Sequence, residues 1–169
     1  MRLLGICGSL QAHSANAALL DVARDVAAPD VEVVTFDALA DVPAFNPDTD
    51  PPPAAIEGFR ELVQSTDGLL IATPEYAHGL PGSLKNLLDW MVGTGELYSR
   101  RVAIVSAAPA PERGKHARAD LERTLRAQGA DVLTSVTVAV PTAVRGSECN
   151  DQGIRAAMKE VVAAFAARS

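Results

Sequence analysis

Apolar positions along the chain fall into two alternating rhythms. Short apolar runs occupy 2–7, 68–72 and 101–106, and β-branched runs occupy 31–36 and 131–140. Runs of this length and composition read as strands, and those without a polar face read as strands buried on both sides. Between them, apolar residues recur at helical spacing: Leu19, Val22, Ala23, Val26 and Ala27, then Ile56, Phe59, Leu62 and Val63, then Leu84, Leu87 and Leu88. Ala117, Leu121 and Leu125 continue the pattern, as do Ile154, Met158, Val161, Val162 and Phe165. Each set predicts an amphipathic helix; the second, fourth and fifth span 54–65, 116–128 and 152–168. Pro29-Asp30, Gly93-Thr94-Gly95 and Gly129 supply the stops. Residues 37–53, with Pro43, Pro47 and three prolines at 51–53, exclude both helix and central strand. That stretch is expected to wrap the surface beside an active-site edge.

The resulting order is βαβαβαβαβα. Helical crossovers between consecutive strands imply a parallel sheet covered on both faces. No repeat or linker interrupts the pattern, so 1–169 reads as a single domain, a length that suits one core.

Composition narrows the chemistry. The formal net charge of −6 disfavours nucleic acid, which needs a basic stripe to meet phosphates. No apolar run approaches the ~20 residues of a membrane span. The first residues lack a secretory pattern, because Gly8-Ser9 stops the apolar run early. The expected location is therefore cytoplasmic, with no membrane and no nucleic-acid partner. Two cysteines, Cys7 in the first strand and Cys149 in a late polar loop, give little reason for a disulfide. No cluster of Cys and His suggests a metal.

Three loops leave the carboxyl ends of strands 1, 3 and 4. With strand order 2-1-3-4-5 they converge at a topological switch point, where open α/β sheets bind ligands. The first, 8–16, runs into a helix N-terminus, whose amides and dipole favour an anion. Ser9, Ser14 and Asn16 add neutral donors. Neither GxxxxGK[ST] nor GxGxxG is present, so a single phosphate group fits better than a triphosphate or a dinucleotide. Ser14 is equally a good N-cap. The second loop, 73–79, is stiffened by Pro74 and opened by Gly79, and Tyr76 offers a flat face. Its backbone amides suit the edge of a planar aromatic cofactor; the plainer alternative is a rigid turn with Tyr76 packed on the core edge. Glu75, His13, His78 and His116 each lack a partner in sequence that would make them acid–base catalysts, and no GxSxG elbow is present. The third loop, from Ser106 to Lys115, is placed to close over the other edge, with Arg113 and Lys115 read as solvated charges.

Together, Gly8-Ser9-Leu10 with Ser14 and Asn16, Thr73-Pro74-Glu75-Tyr76, and Pro81-Gly82-Ser83-Leu84-Lys85-Asn86 with Asp89-Trp90 resemble the NADPH-dependent FMN reductase family. The resemblance implies a flavodoxin-like three-layer α/β sandwich with a five-stranded parallel sheet in order 2-1-3-4-5. It implies noncovalent FMN, with NADPH or NADH as electron donor and a flavin, quinone or similar small molecule as acceptor. A flavodoxin-type electron carrier and a weakly flavin-binding interaction protein are the alternatives. Ser9, Gln11, Ser14 and Asn16 match the family's phosphate loop. Pro74, Glu75, Tyr76, Ala77, His78 and Gly79 match the segment along the flavin ring, and Ser106 opens the third loop. No catalytic side chain is implied, because the cofactor carries the chemistry. The family is typically dimeric or tetrameric, and the helix bearing Lys85, Asp89 and Trp90 often lies at the subunit contact; a local Lys85–Asp89 ion pair is the alternative. Three positions depart from the family pattern. Gln11 stands where Arg is usual, Ala77 where Asn is common, and the third loop carries Pro109 and Pro111 in place of glycines.

Overall fold

Every described strand lies parallel to its neighbours, in the order β2-β1-β3-β4-β5. The structure, a computed structural model, describes residues 1–141 and 151–167. Its elements run β1 (Arg2–Cys7), α1 (Ala15–Val26), β2 (Glu32–Phe36), α2 (Ala54–Gln64), β3 (Gly68–Ala72), α3 (Gly82–Asp89), β4 (Arg101–Ala108), α4 (Lys115–Ala127), β5 (Asp131–Ala139) and α5 (Gln152–Ala163). This is the flavodoxin-like order, with the β1/β3 boundary as its switch point. Cys149 and Arg168, with most of the loop expected over 141–151, lie outside the described residues.

The two-residue period of the strands divides the core into two layers. Leu4 and Ile6 of β1, Leu69 and Ile71 of β3, and Val102 and Ile104 of β4 pack under α2, α3 and α4. Leu3, Leu70, Ala72, Ala103 and Val105 point the other way, under α1 and α5. Leu84, Leu87 and Leu88 are fully buried, and each contributes about 1.5–3 kcal/mol by leaving water. Glycine permits the closest layer contacts: a Cβ on Gly68 would sit 2.6 Å from the Phe165 ring.

Two expectations shift. α3 ends at Asp89 rather than at the glycines, and β4 runs two residues beyond the expected 106. Residues 37–53 contain a 3₁₀ turn at Leu39–Asp41, upstream of the prolines. This segment is pinned to α3 by Asn86 and Trp90, whose Nδ2 and Nε1 both donate to the Pro43 carbonyl at 2.8 and 2.9 Å. Phe45 adds an edge-on contact with the Trp90 ring at 5.1 Å. Trp90 is thus buried against its own chain, and Lys85 pairs with Asp89 at 2.6 Å.

Candidate functional site

β1 feeds α1 on one face of the sheet and β3 feeds α3 on the other, so a crevice opens where the two strands part. The ladder continues one rung past their ends: Gly8 N–H donates to the Ala72 carbonyl at 2.8 Å and Thr73 N–H to the Val105 carbonyl at 2.9 Å. Gly8 must be small here, because a Cβ would lie 2.9 Å from Leu84 Cδ2 and 3.3 Å from Thr73 Oγ1. The first and second loops therefore leave side by side.

The first loop caps its own helix. Ser14 is buried, and its Oγ accepts from Asn16 N–H at 3.2 Å. The first turn of α1 contains no acidic residue, so its positive end is open to an anion. Ser9 Oγ accepts from Gln11 N–H at 3.3 Å and lies 3.5 Å from the Tyr76 hydroxyl, joining the first loop to the second. The Gln11 side chain is exposed. Asn16 is buried, and its Oδ1 accepts from Ala107 N–H at 3.0 Å, tying α1 to the end of β4. Burial pushes the Cys7 thiol up, partly offset by hydrogen bonds with Ser9 and Ser14, so it remains protonated beneath the loop. On the β2 side, a cavity of about 370 Å³ is lined by Ser9, Gln11, Phe36, Asp37 and Leu39, among others.

The second loop is a two-residue hairpin. Tyr76 and Gly79 exchange backbone hydrogen bonds at 3.1 and 2.9 Å around Ala77 and His78. Both central residues have positive φ, 49° and 62°, a turn that Asn-Gly fills most cheaply. Tyr76 is 52% exposed, so the plain core-edge reading of its ring does not hold. Pro74 is half-buried, and its carbonyl accepts from the Thr73 hydroxyl at 3.0 Å. Glu75 turns away from solvent. Its Oε2 accepts from His116 N–H at 2.8 Å and Ala117 N–H at 3.2 Å, and its Oε1 lies 3.4 Å from His78 Nδ1. Partial burial pushes this carboxyl up, but the two amides, the charge of His116 and the His78 contact outweigh it and hold it below the usual carboxylate range. The His78 and His116 rings meet edge-on at 5.1 Å.

The third loop follows Ala108, and Ser106 lies within β4 before it; Ser106 is 1% exposed and donates its hydroxyl to the Thr73 carbonyl at 2.8 Å. Gly114 lies over it: a Cβ there would be 2.9 Å from Ser106 Cβ. The Ser106 side chain is therefore enclosed between strand and loop. Beyond it, the Thr137 hydroxyl on β5 lies 3.1 and 3.2 Å from the Pro111 and Arg113 carbonyls, and Arg118 Nη1 donates to Thr137 Oγ1. Burial lowers the Arg118 pKa while Glu75 opposes the shift. Arg113 is exposed, and exposed Lys115 pairs with Glu112 at 3.5 Å.

Ser9, Tyr76 and the first turn of α1 meet around one crevice. Glu75 and Ser106 have their side chains engaged beneath it, and Gln11 points to solvent. Sequence reasoning missed Arg118, Thr137 and the cap on α4. A signal existed: Gly114-Lys115-His116-Ala117 offers no Ser, Thr, Asp or Asn to begin a helix, which calls for a cap from elsewhere. Among the described residues, no group of three His, Cys, Asp or Glu side chains is placed to hold a metal ion, and no helix is long and apolar enough to cross a membrane.

The model of the NADPH-dependent FMN reductase family matches residues 1–145. The chain belongs to this family. An NAD(P)H-dependent FMN reductase of Pseudomonas aeruginosa is 39% identical over 92 residues, covering 53% of this chain and 49% of that protein. A quinone reductase of Escherichia coli is 32% identical over 94 residues, covering 54% and 50%. The chain thus spans about half the length of these curated relatives. In fold, it is similar to a flavoenzyme NAD(P)H:(acceptor) oxidoreductase of Paracoccus denitrificans, with TM-score 0.76 and 23% identity over 97% of this chain and 94% of that one.

Proposed function

We propose that this family member is an NAD(P)H-dependent FMN reductase of quinone-reductase type, with FMN held noncovalently at the β1/β3 crevice. The observation that carries the reading is the first turn of α1. Its amides are capped only by neutral Ser14, no acidic residue lies in the turn, and the loop leading into it meets the half-exposed Tyr76 through Ser9. Donors without a competing carboxylate fit a phosphate group. Ser9, Ser14, Asn16 and the surrounding amides would hold the phosphate. The backbone of 74–79, with Tyr76, would line the ring.

FMN, when bound, accepts a hydride from reduced nicotinamide and passes electrons to a flavin, quinone or similar acceptor. This chain's own part is to bind, orient and shield. The Tyr76 hydroxyl beside Ser9 bridges the two ends of the site. In the hairpin, the amides of Tyr76 and Gly79 are spent on each other, which leaves those of Glu75, Ala77 and His78 for a ring edge. Asn16 fixes Ala107, and Ser106 fixes Thr73, so the loop bases hold their spacing. Gln11 supplies no positive charge, so the phosphate end relies on dipoles and neutral donors. The chain is read as one cytoplasmic domain acting as a homodimer or homotetramer, which light scattering on the purified protein would measure.

The test is spectroscopic. Purified protein is mixed with FMN and desalted, and its visible spectrum is recorded before and after anaerobic NADPH or NADH. Bleaching of near-stoichiometric bound flavin is expected. Retained flavin that neither nicotinamide reduces would make the chain an electron carrier instead. No retained flavin and no saturable titration would reject the assignment.

A further inference from the structure

The N-termini of α1 and α4 both lie at the carboxyl edge of the sheet, yet they are satisfied differently. α1 carries its own cap in Ser14. α4 begins at Gly114, which has φ 79° and no side chain to offer. Its second and third amides, on His116 and Ala117, are instead met by Glu75 from 41 and 42 residues upstream. The bonds pair a carboxylate with helix-end donors, an arrangement roughly twice as strong as neutral bonding. The same residue begins the most strained segment of the site. Ala77 and His78 both sit in the left-handed region, which brings the Cβ of a non-glycine residue too close to the following carbonyl. Such a conformation persists only where its surroundings over-determine it.

We propose that Glu75 is a positioning residue: by capping α4, its carboxylate holds the 74–79 hairpin in the shape that receives the flavin ring. The carboxylate is not itself a ligand. Its side chain is 17% exposed, and both oxygens are directed at α4 and His78. Titratable and charged groups face it from both sides. His78 faces it from the hairpin, and His116 and Arg118 face it from α4. Asp120 Oδ2 lies against Gly79, 3.6 Å from where a Cβ would stand, and is itself paired with Arg123 at 2.8 Å. The role rests on the flavin site proposed above and adds a division of labour to it: α1 serves the phosphate end, and α4, through Glu75, serves the ring end.

The experiment compares wild type, Glu75→Ala and Glu75→Gln in the full chain, with three readouts. Amide exchange at His116 and Ala117 in the flavin-free protein reads the cap directly. Dissociation constants for FMN and riboflavin read the ring and phosphate ends, because the two ligands differ only in the phosphate. For Glu75→Ala, exchange at the two amides is expected to rise by about tenfold or more, the scale of a lost charged hydrogen bond. Both flavins are expected to bind about tenfold more weakly, with the FMN-to-riboflavin affinity ratio unchanged. Glu75→Gln keeps an acceptor and loses the charge, so about a threefold change is expected in each. It is the deciding variant if the alanine protein does not fold. Unchanged amide exchange in both variants overturns the cap. Lost protection with unchanged flavin affinity overturns the positioning role, and so does a shifted FMN-to-riboflavin ratio. If wild type binds neither flavin, the proposed function fails and the role with it, while amide exchange still reports whether the cap exists.

Discussion

The loops after β1 and β3 begin one hydrogen-bond rung apart and are built on opposite principles. The first is local. Ser14 caps the helix through Asn16 N–H, and the loop carries no Asp, Glu, Lys or Arg. The second is tertiary. Its hairpin has the wrong residues for its turn, and its one carboxylate is bonded to a helix 41 residues away. The consequence is electrostatic. Two helix N-termini lie at the carboxyl edge of the sheet; Glu75 occupies that of α4, and the first turn of α1 holds no acidic residue. On the function proposed above, the phosphate would sit at α1 and the neutral ring nearer α4.

The largest expected effect comes from removing the boundary between the loops. Gly8→Val forces a side chain into Leu84 and Thr73, so it should cost about 2–3 kcal/mol and abolish binding of FMN and riboflavin alike. Urea unfolding with flavin titration checks it, and selective loss of one flavin would break the comparison. Next is Ser14→Ala combined with Asn16→Ala, which should weaken FMN more than tenfold, about 1.4 kcal/mol. Riboflavin should be less affected, so the affinity ratio falls, whereas the Glu75 variants leave it unchanged. An unchanged FMN affinity would displace the phosphate from α1.

Smaller still is a pH effect confined to the second loop. The Glu75 carboxyl titrates lower in the folded chain than the ordinary range it would have unfolded. Its contribution is therefore complete above that ordinary range and is lost as pH falls through the depressed folded value. The stability gap between wild type and Glu75→Gln, measured by urea unfolding, should be constant near neutrality and close in acid. A gap that widens in acid would reverse the sign. The smallest effect is at Ala77. Glycine relieves the left-handed strain but adds freedom to the unfolded chain, leaving a net gain of about 0.5 kcal/mol and a melting temperature higher by a degree or two.

The sheet order and its helices were legible because apolar periodicity reports burial, and in this chain burial follows chain order. Leu84, Leu87 and Leu88 announce one face of α3, and all three are fully buried. The first loop was legible for the same reason: Ser14 acts on its neighbours. Glu75 was not, since nothing within the 74–79 segment tells that its partners are the amides of His116 and Ala117. The end of β4 was less legible. Ser106 was expected to close the strand and open the third loop, but β4 runs on to Ala108, so the serine lies within the strand and under Gly114. The resemblance placed Trp90 on a helix that often lies at the subunit contact; nothing in its own segment tells that its indole is buried under the proline-rich stretch and bonded to the Pro43 carbonyl.

Gly114 also bears on how this architecture can be altered. The segment 109–113 is bracketed by Ala108, whose carbonyl accepts from Val140 N–H at 2.9 Å, and by a glycine that tolerates no side chain above Ser106. Between those anchors, the backbone is held by an internal turn, Arg113 N–H donating to the Ala110 carbonyl at 3.0 Å, and by the Thr137 hydroxyl. The segment is therefore a graftable cassette: its length and charge can be exchanged between fixed endpoints, leaving the sheet and both helix caps intact.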